Sequence, residues 1–256
     1  MAKLVQYQGD RKVIERMRGM IVGRNKVGKS WLGATGRKPV IDWDVDLRAD
    51  SLEGKDGVYT ISPMDPPGLG MQPEVYNETL AFIGKLEQSR VMGDIDDALR
   101  AMPCAEQKVG TVVLDSLQSM ARAIGQYNMY TNPKALAREI VIGRQKILFP
   151  SGWDTWNAEM ECMEQLISRF VSIPEIDFFV TFHEEEKDCK VELFPARHRH
   201  ITRYFNEVWR LTRPNNVPQL QIVPTYDFTA CTTLVGAPPI IENPNITNMV
   251  EQYGRH

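Results

Sequence analysis

The chain has 256 residues, 43% apolar and 25% charged, which suits one α/β domain with a buried core and at most a small appendage. A formal net charge of −3 means that any nucleic-acid contact must come from a local basic patch. No apolar run approaches the ~20 residues that span a bilayer, so no membrane partner is expected.

The N-terminus reaches Asp10-Arg11-Lys12 without the apolar stretch of a signal peptide, and the expected location is the cytoplasm. The four cysteines, at 104, 162, 189 and 231, form no C-x-x-C pair. They read as buried free thiols in a reducing compartment, not as a disulfide framework or zinc knuckle. No internal repeat or low-complexity tract interrupts the chain.

Short apolar runs alternate with amphipathic stretches, which favours a mostly parallel sheet flanked by helices. Met20-Ile21-Val22 reads as a strand leading into a Gly-rich loop, and Pro39-Val40-Ile41 as a second strand ending in Asp42, Asp44 and Asp46. Val58–Ile61 is a third. Residues 63–73 hold four prolines and two glycines and must be a loop. Residues 74–101 look helical. Thr111–Leu114 is an apolar run closed by Asp115, as expected of a strand buried on both faces. Residues 154–171 form the clearest helix, with Trp156, Met160, Met163, Ile167 and Phe170 on one face and Asp154 as its N-cap. Asp177–Phe182 is another central strand, ending at His183. Glu207–Thr212 and Gln219–Val223 alternate with a period of two around Arg213-Pro214-Asn215-Asn216, the pattern of an antiparallel hairpin at the sheet edge. Domain boundaries are set at 1–228, with 118–153 as an insertion, and a tail at 229–256.

The chemistry concentrates in Gly23-Arg24-Asn25-Lys26-Val27-Gly28-Lys29-Ser30, a full match to G-x-x-x-x-G-K-[ST]. Glycines at these positions let successive N–H groups turn inward as an anion nest, and the following helix aims its positive end at the phosphates. Lys29 supplies a mobile cation for the β- and γ-phosphates, and Ser30 a hydroxyl for Mg²⁺. Trp31 follows directly and belongs to the same cofactor-binding stretch. The helix after Ser30 is short, since Gly36-Arg37-Lys38-Pro39 stops it. Asp115 has the form of the second nucleotide motif, a carboxylate for Mg²⁺ on the strand expected beside the loop's own strand. Ser116 stands next to it and could position the same water shell.

Asp42 and Asp44 share one face of their strand, and either could polarise an attacking water; a solvated acidic loop is the alternative. His183 reads as a γ-phosphate sensor or as an ordinary strand-end histidine. Arg197, Arg199 and Arg203, with His198 and His200, form the dense basic segment. It is an arginine finger for a neighbouring subunit, a nucleic-acid contact or a solvated loop. No ligand spacing supports a metal at His198 and His200. Trp209, Phe205, Trp153 and Trp156 read as packing residues.

A strand into G-x-x-x-x-G-K-S, a very short helix and a strand V-I-D-W-D resemble phage-encoded AAA-type ATP-binding proteins with a RecA-like core. T-V-V-L-D-S-L at 111–117, F-F-V-T-F-H-E at 178–184 and Y-F-N-E-V-W-R-L at 204–211 fit the same family in order. The resemblance covers 18–212. It implies an α/β P-loop NTPase with an antiparallel C-terminal edge, a Mg²⁺-dependent ATPase of recombination or replication. ATP and Mg²⁺ would sit at Gly23–Ser30 and Asp115, with a water-polarising carboxylate at Asp42 or Asp44 and a sensor at His183. The implied partners are single-stranded DNA, further copies of the chain and a single-strand-binding protein. The loop departs from the family's usual P-P-G-x by reading R-N-K-V, which adds two cations. A nucleotide-gated partner-binding protein with little turnover and a small-molecule or nucleotide kinase are the alternative functions.

Overall fold

Apolar runs too short for helices and bounded by turn residues become buried strands here. A computed structural model describes residues 16–46, 52–63, 74–92, 109–131, 137–142, 145–150, 153–173, 176–187, 190–193, 196–225 and 228–254. The first half runs β1 (Arg18–Gly23), α1 (Lys29–Gly33), β2 (Val40–Asp44), β3 (Val58–Ile61), α2 (Glu74–Met92), β4 (Thr111–Asp115) and α3 (Leu117–Thr131). A hairpin of β5 (Ala137–Ile142) and β6 (Gln145–Pro150) precedes α4 (Trp153–Ser172). The chain continues through β7 (Asp177–Lys187), β8 (Lys190–Leu193), β9 (Glu207–Thr212), β10 (Gln219–Gln221), β11 (Ile240–Glu242) and α5 (Ile246–Tyr253).

The main sheet has the order β11-β10-β9-β1-β7-β4-β2-β3, with β8 paired to the far end of β7. From β9 to β3 every pairing is parallel, and β10 and β11 add an antiparallel edge. This is the mostly parallel α/β sheet expected from the sequence. One neighbour relation is corrected: β4, which ends in Asp115, does not lie beside β1, because β7 runs between them. The compact α1 crossover carries the chain past two strand positions to β2, and the apolar β4 and β7 later fill those buried slots.

Alternation along the strands divides the core. Val112, Leu114, Ile41, Trp43, Phe178, Val180 and Phe182 face the large helices and pack with Phe82 of α2, Met120 of α3 and Phe170 of α4. Phe170 stacks on Phe178 at 4.5 Å and Trp43 on Phe82 at 4.3 Å between ring centroids. Burial stabilises by about 1.5–3 kcal/mol for each such side chain. On the other face Ile21, Val40, Val113, Phe179 and Trp209 pack with Leu32 of α1 and Ile246 and Met249 of α5.

Residues read as an insertion supply α3 and the β5–β6 hairpin, and those read as a tail supply β11 and α5. The segment 229–254 is tied in by the wholly buried Glu207. Its carboxylate accepts from Trp209 Nε1 at 3.0 Å, Thr232 Oγ1 at 2.6 Å, the Thr233 N–H at 2.9 Å and the Thr233 hydroxyl.

Other expectations change in detail. β7 does not end at His183 but continues to Lys187, because Glu184–Lys187 find antiparallel partners in β8. α4 opens at Trp153, which puts Asp154 inside the first turn rather than at the cap. Cys162 is half-buried and Cys231 exposed, so neither is a core thiol; Cys231 lies where the chain makes a single bridge to Val208. The described part of the 74–101 helix ends at Met92, and residues 64–73, Cys104 and Cys189 lie outside the described residues.

Candidate functional site

In an open parallel sheet the C-terminal strand ends, where the order of strands reverses, form the natural ligand crevice. The Gly-rich loop leaves β1 at that end. Gly28 adopts φ 101°, a left-handed conformation that favours glycine, and α1 starts at the next residue. Gly23 must be a glycine for space, since a Cβ there would lie 2.5 Å from the Leu211 carbonyl oxygen. Lys29 is buried, and its Nζ donates to the carbonyls of Gly23 and Arg24 at 2.9 Å each and reaches His183 Nδ1 at 3.2 Å. Arg24, Asn25 and Lys26 are exposed along the loop, and Trp31 is exposed on α1 with Lys55 Nζ 3.9 Å above its ring.

Asp115 is gripped from two elements. Ser30 Oγ donates to its Oδ2 and Thr181 Oγ1 to its Oδ1. Thr181 lies on β7, the strand between β1 and β4, and is wholly buried. Ser30 and Asp115 are therefore brought into contact across an intervening strand, with that strand's hydroxyl completing the set. Ser116 turns the other way and donates to Asp46 Oδ1 at 3.1 Å.

β2 and β4 pair with Asp44 opposite Asp115. Asp42 and Asp44 are both buried on the α1 face of the sheet. Neither oxygen of Asp42 has a hydrogen-bond partner among the described residues. Burial, then the charges of Asp115 and Asp44, push its carboxyl up to about 8, so it holds its proton at neutral pH. Asp44 accepts from the Asp46 N–H at 3.1 Å. For Asp46, burial works against ionisation, but hydrogen bonds with His183, Ser119 and Ser116 outweigh it and hold the carboxyl below the usual range.

Beside His183, Glu184 is nearly inaccessible and ion-paired. Arg210 of β9 meets it at 2.9 and 3.3 Å, and Arg24 of the loop lies 3.7 Å away. Residues Ala196–Tyr204 form a 3-10 turn that runs from the end of β8, where Leu193 pairs with Glu184, to the start of β9 at the opposite end of the sheet. Arg203 there is exposed and pairs with Glu164 at 2.7 Å.

Lys29, Ser30, Asp115, Asp42, Asp44 and His183 thus converge on one end of the sheet. Sequence reasoning missed Thr181, Asp46 as a partner of His183, Ser119, and the Glu184–Arg210 pair. One of these carried a signal: Thr181 is two residues before His183 on β7, so the period of two puts it on the same face.

The donor set suits a magnesium-bound nucleotide. Ser30 and Asp115 offer hard oxygens in contact with each other. No group of three His, Cys, Asp or Glu among the described residues is arranged to hold a metal.

Loop, strand order and carboxylate together define an α/β P-loop NTPase fold. No protein-family model and no curated protein matches the sequence. Among solved structures the chain is similar to the RadB recombinase, with 12% identity, a TM-score of 0.39 and 83% of each chain covered. It is also similar to a solved ATPase domain, with 9% identity, a TM-score of 0.41, and coverage of 84% of this chain and 79% of that one. No helix among the described residues is long and apolar enough to cross a membrane.

Proposed function

We propose that the chain binds ATP with Mg²⁺ at Gly23–Ser30 and hydrolyses it. The observation that carries this reading is the contact of Ser30, Asp115 and Thr181 beside the Lys29–His183 pair, at the crevice end of the sheet. The backbone N–H groups of the loop bind the phosphates, and Lys29 Nζ, already within reach of His183, orients the terminal one. Ser30 and Asp115 would hold Mg²⁺, which supplies charge neutralisation on the phosphoryl group. Asp44 is assigned the attacking water: it lies opposite Asp115 at the strand end, whereas Asp42 keeps its proton and is a poor base. His183 acts as the sensor of the terminal phosphate. Trp31 adjoins the nucleotide.

The finer reading follows the sequence resemblance. The ATPase works in DNA recombination or replication as a phage-encoded AAA-type protein of the host cytoplasm, on single-stranded DNA, as a homo-oligomer and alongside a single-strand-binding protein. In that arrangement the Arg197–Arg203 segment serves a neighbouring subunit or the DNA backbone.

Phosphate release is measured with Mg²⁺, with and without single-stranded DNA, for the wild type and Lys29→Ala. DNA-stimulated turnover that falls at least ~100-fold in the variant is the expected result. Turnover or binding through Lys29 that ignores DNA would remove the DNA assignment and leave a nucleotide-gated partner-binding protein.

A further inference from the structure

His183 lies between a cation and an anion. Lys29 Nζ is 3.2 Å from its Nδ1, and Asp46 Oδ2 is 3.9 Å from its Nε2. An ammonium group can only donate, so Nδ1 is the unprotonated acceptor and the ring proton sits on Nε2, facing the carboxylate. Lys29 and Asp46 thus select the same tautomer from opposite sides.

Asp46 is itself held firmly. Ser116 Oγ donates to its Oδ1 at 3.1 Å, Ser119 Oγ donates to the same oxygen, and its N–H is bound by Asp44 Oδ1. Ser116 immediately precedes α3, and Ser119 lies in the first turn of that helix. From the same turn Gln118 Nε2 donates to the His183 carbonyl at 3.2 Å. Ring and backbone of His183 are therefore both fixed from one helix end, across from the loop. Carboxylates that orient a working histidine through its second nitrogen tune its basicity and its angle.

We infer that Asp46 is the positioning residue for His183, and that Lys29, His183, Asp46, Ser116 and Ser119 form one polar relay, hydrogen-bonded except for the 3.9 Å electrostatic contact of His183 with Asp46, from the phosphate end of the site to helix α3. This rests on the nucleotide reading of the loop for its purpose but not for its geometry. A Lys29 ammonium drawn onto a phosphate gives up Nδ1, and the loss of that partner is passed through Asp46 to the start of α3. From α3 the chain leads on to the β5–β6 hairpin, so the relay connects the site to a segment outside the strand ends of the crevice.

The test uses the full chain with ¹⁵N-labelled histidine. The sequence has four histidines, so a His183→Gln variant identifies the signal of interest. Long-range ¹H–¹⁵N correlation in the nucleotide-free protein is expected to show His183 as the Nε2–H tautomer, and Asp46→Asn to shift it toward a mixture. The same variant is expected to lower kcat about tenfold with KM for ATP within about twofold, the size typical of a lost orienting partner. Ser119→Ala, which keeps the carboxylate, serves as a second and milder variant and should move the same signal less far. A wild-type His183 on Nδ1–H, or a tautomer indifferent to Asp46→Asn and Ser119→Ala, overturns the relay. A shifted tautomer with unchanged kcat overturns its part in turnover. If the wild type binds no nucleotide while the tautomer still responds, the nucleotide reading fails and the positioning of His183 by Asp46 stands.

Discussion

Among the described residues, two of the most deeply buried carboxyl groups are buried in opposite ways. Glu207, at the start of β9, receives donors from Trp209, Thr232 and Thr233 on both oxygens. Asp42, in the middle of β2, has no hydrogen-bond partner among the described residues and lies near two further carboxylates. Burial raises the pKa of both. At Glu207 the hydrogen bonds oppose that rise; at Asp42 neighbouring negative charge adds to it. A satisfied buried carboxylate is a structural clasp, here for the C-terminal segment. A buried carboxyl left without donors inside an acidic group is tolerated where a cation or a phosphate site is to be served, at a cost in stability.

The contrast can be broken by mutation. Glu207→Ala leaves the Trp209, Thr232 and Thr233 donors buried without an acceptor and is expected to destabilise by about 4 kcal/mol in urea denaturation. Its kcat at a temperature where it stays folded should remain near wild type. Asp42→Asn has the opposite sign. Folded Asp42 keeps its proton up to about pH 8, while the unfolded residue loses it near 3.8, so this group's contribution to stability falls as pH rises through that window. The variant should be more stable than wild type by at least about 2 kcal/mol at pH 9, a difference that vanishes near pH 3.5. Equal pH profiles for the two proteins would mean that Asp42 is solvated after all.

Thr181→Val sharpens the comparison from inside the site. It removes one of the two hydroxyl donors to Asp115 and should lower kcat/KM about tenfold, or about 1.4 kcal/mol, with Mg²⁺ dependence shifted to higher concentration. The smallest effect belongs to an exposed pair. Arg203→Gln breaks the contact to Glu164, and its melting temperature should be indistinguishable from wild type.

Much of this was legible in the chain. Gly23–Ser30 announces its conformation because each residue acts through local backbone geometry, and Gly28 does adopt the left-handed conformation that such a loop needs. The strands at 58–61 and 111–115 and the hairpin at 207–221 follow from local periodicity and turn residues, which act over a few positions. His183 was found as a residue but misplaced as a strand end, since the partner that prolongs β7 lies in β8, beyond an acidic stretch that looks like a turn.

The amino-acid sequence by itself thus determined the loop, the alternation of strands and helices, and the residue types at the strand ends. Only the tertiary structure decided that β7 separates β1 from β4, and with it that Thr181 meets Asp115 between Ser30 and the sheet. It also decided that Asp46 faces His183, and that Glu207 is clasped while Asp42 is not. The reason is physical. Periodicity fixes which face of a strand a residue occupies, but strand order and cross-strand neighbours are set by burying all the apolar faces at once, a non-local condition that no short stretch of chain records.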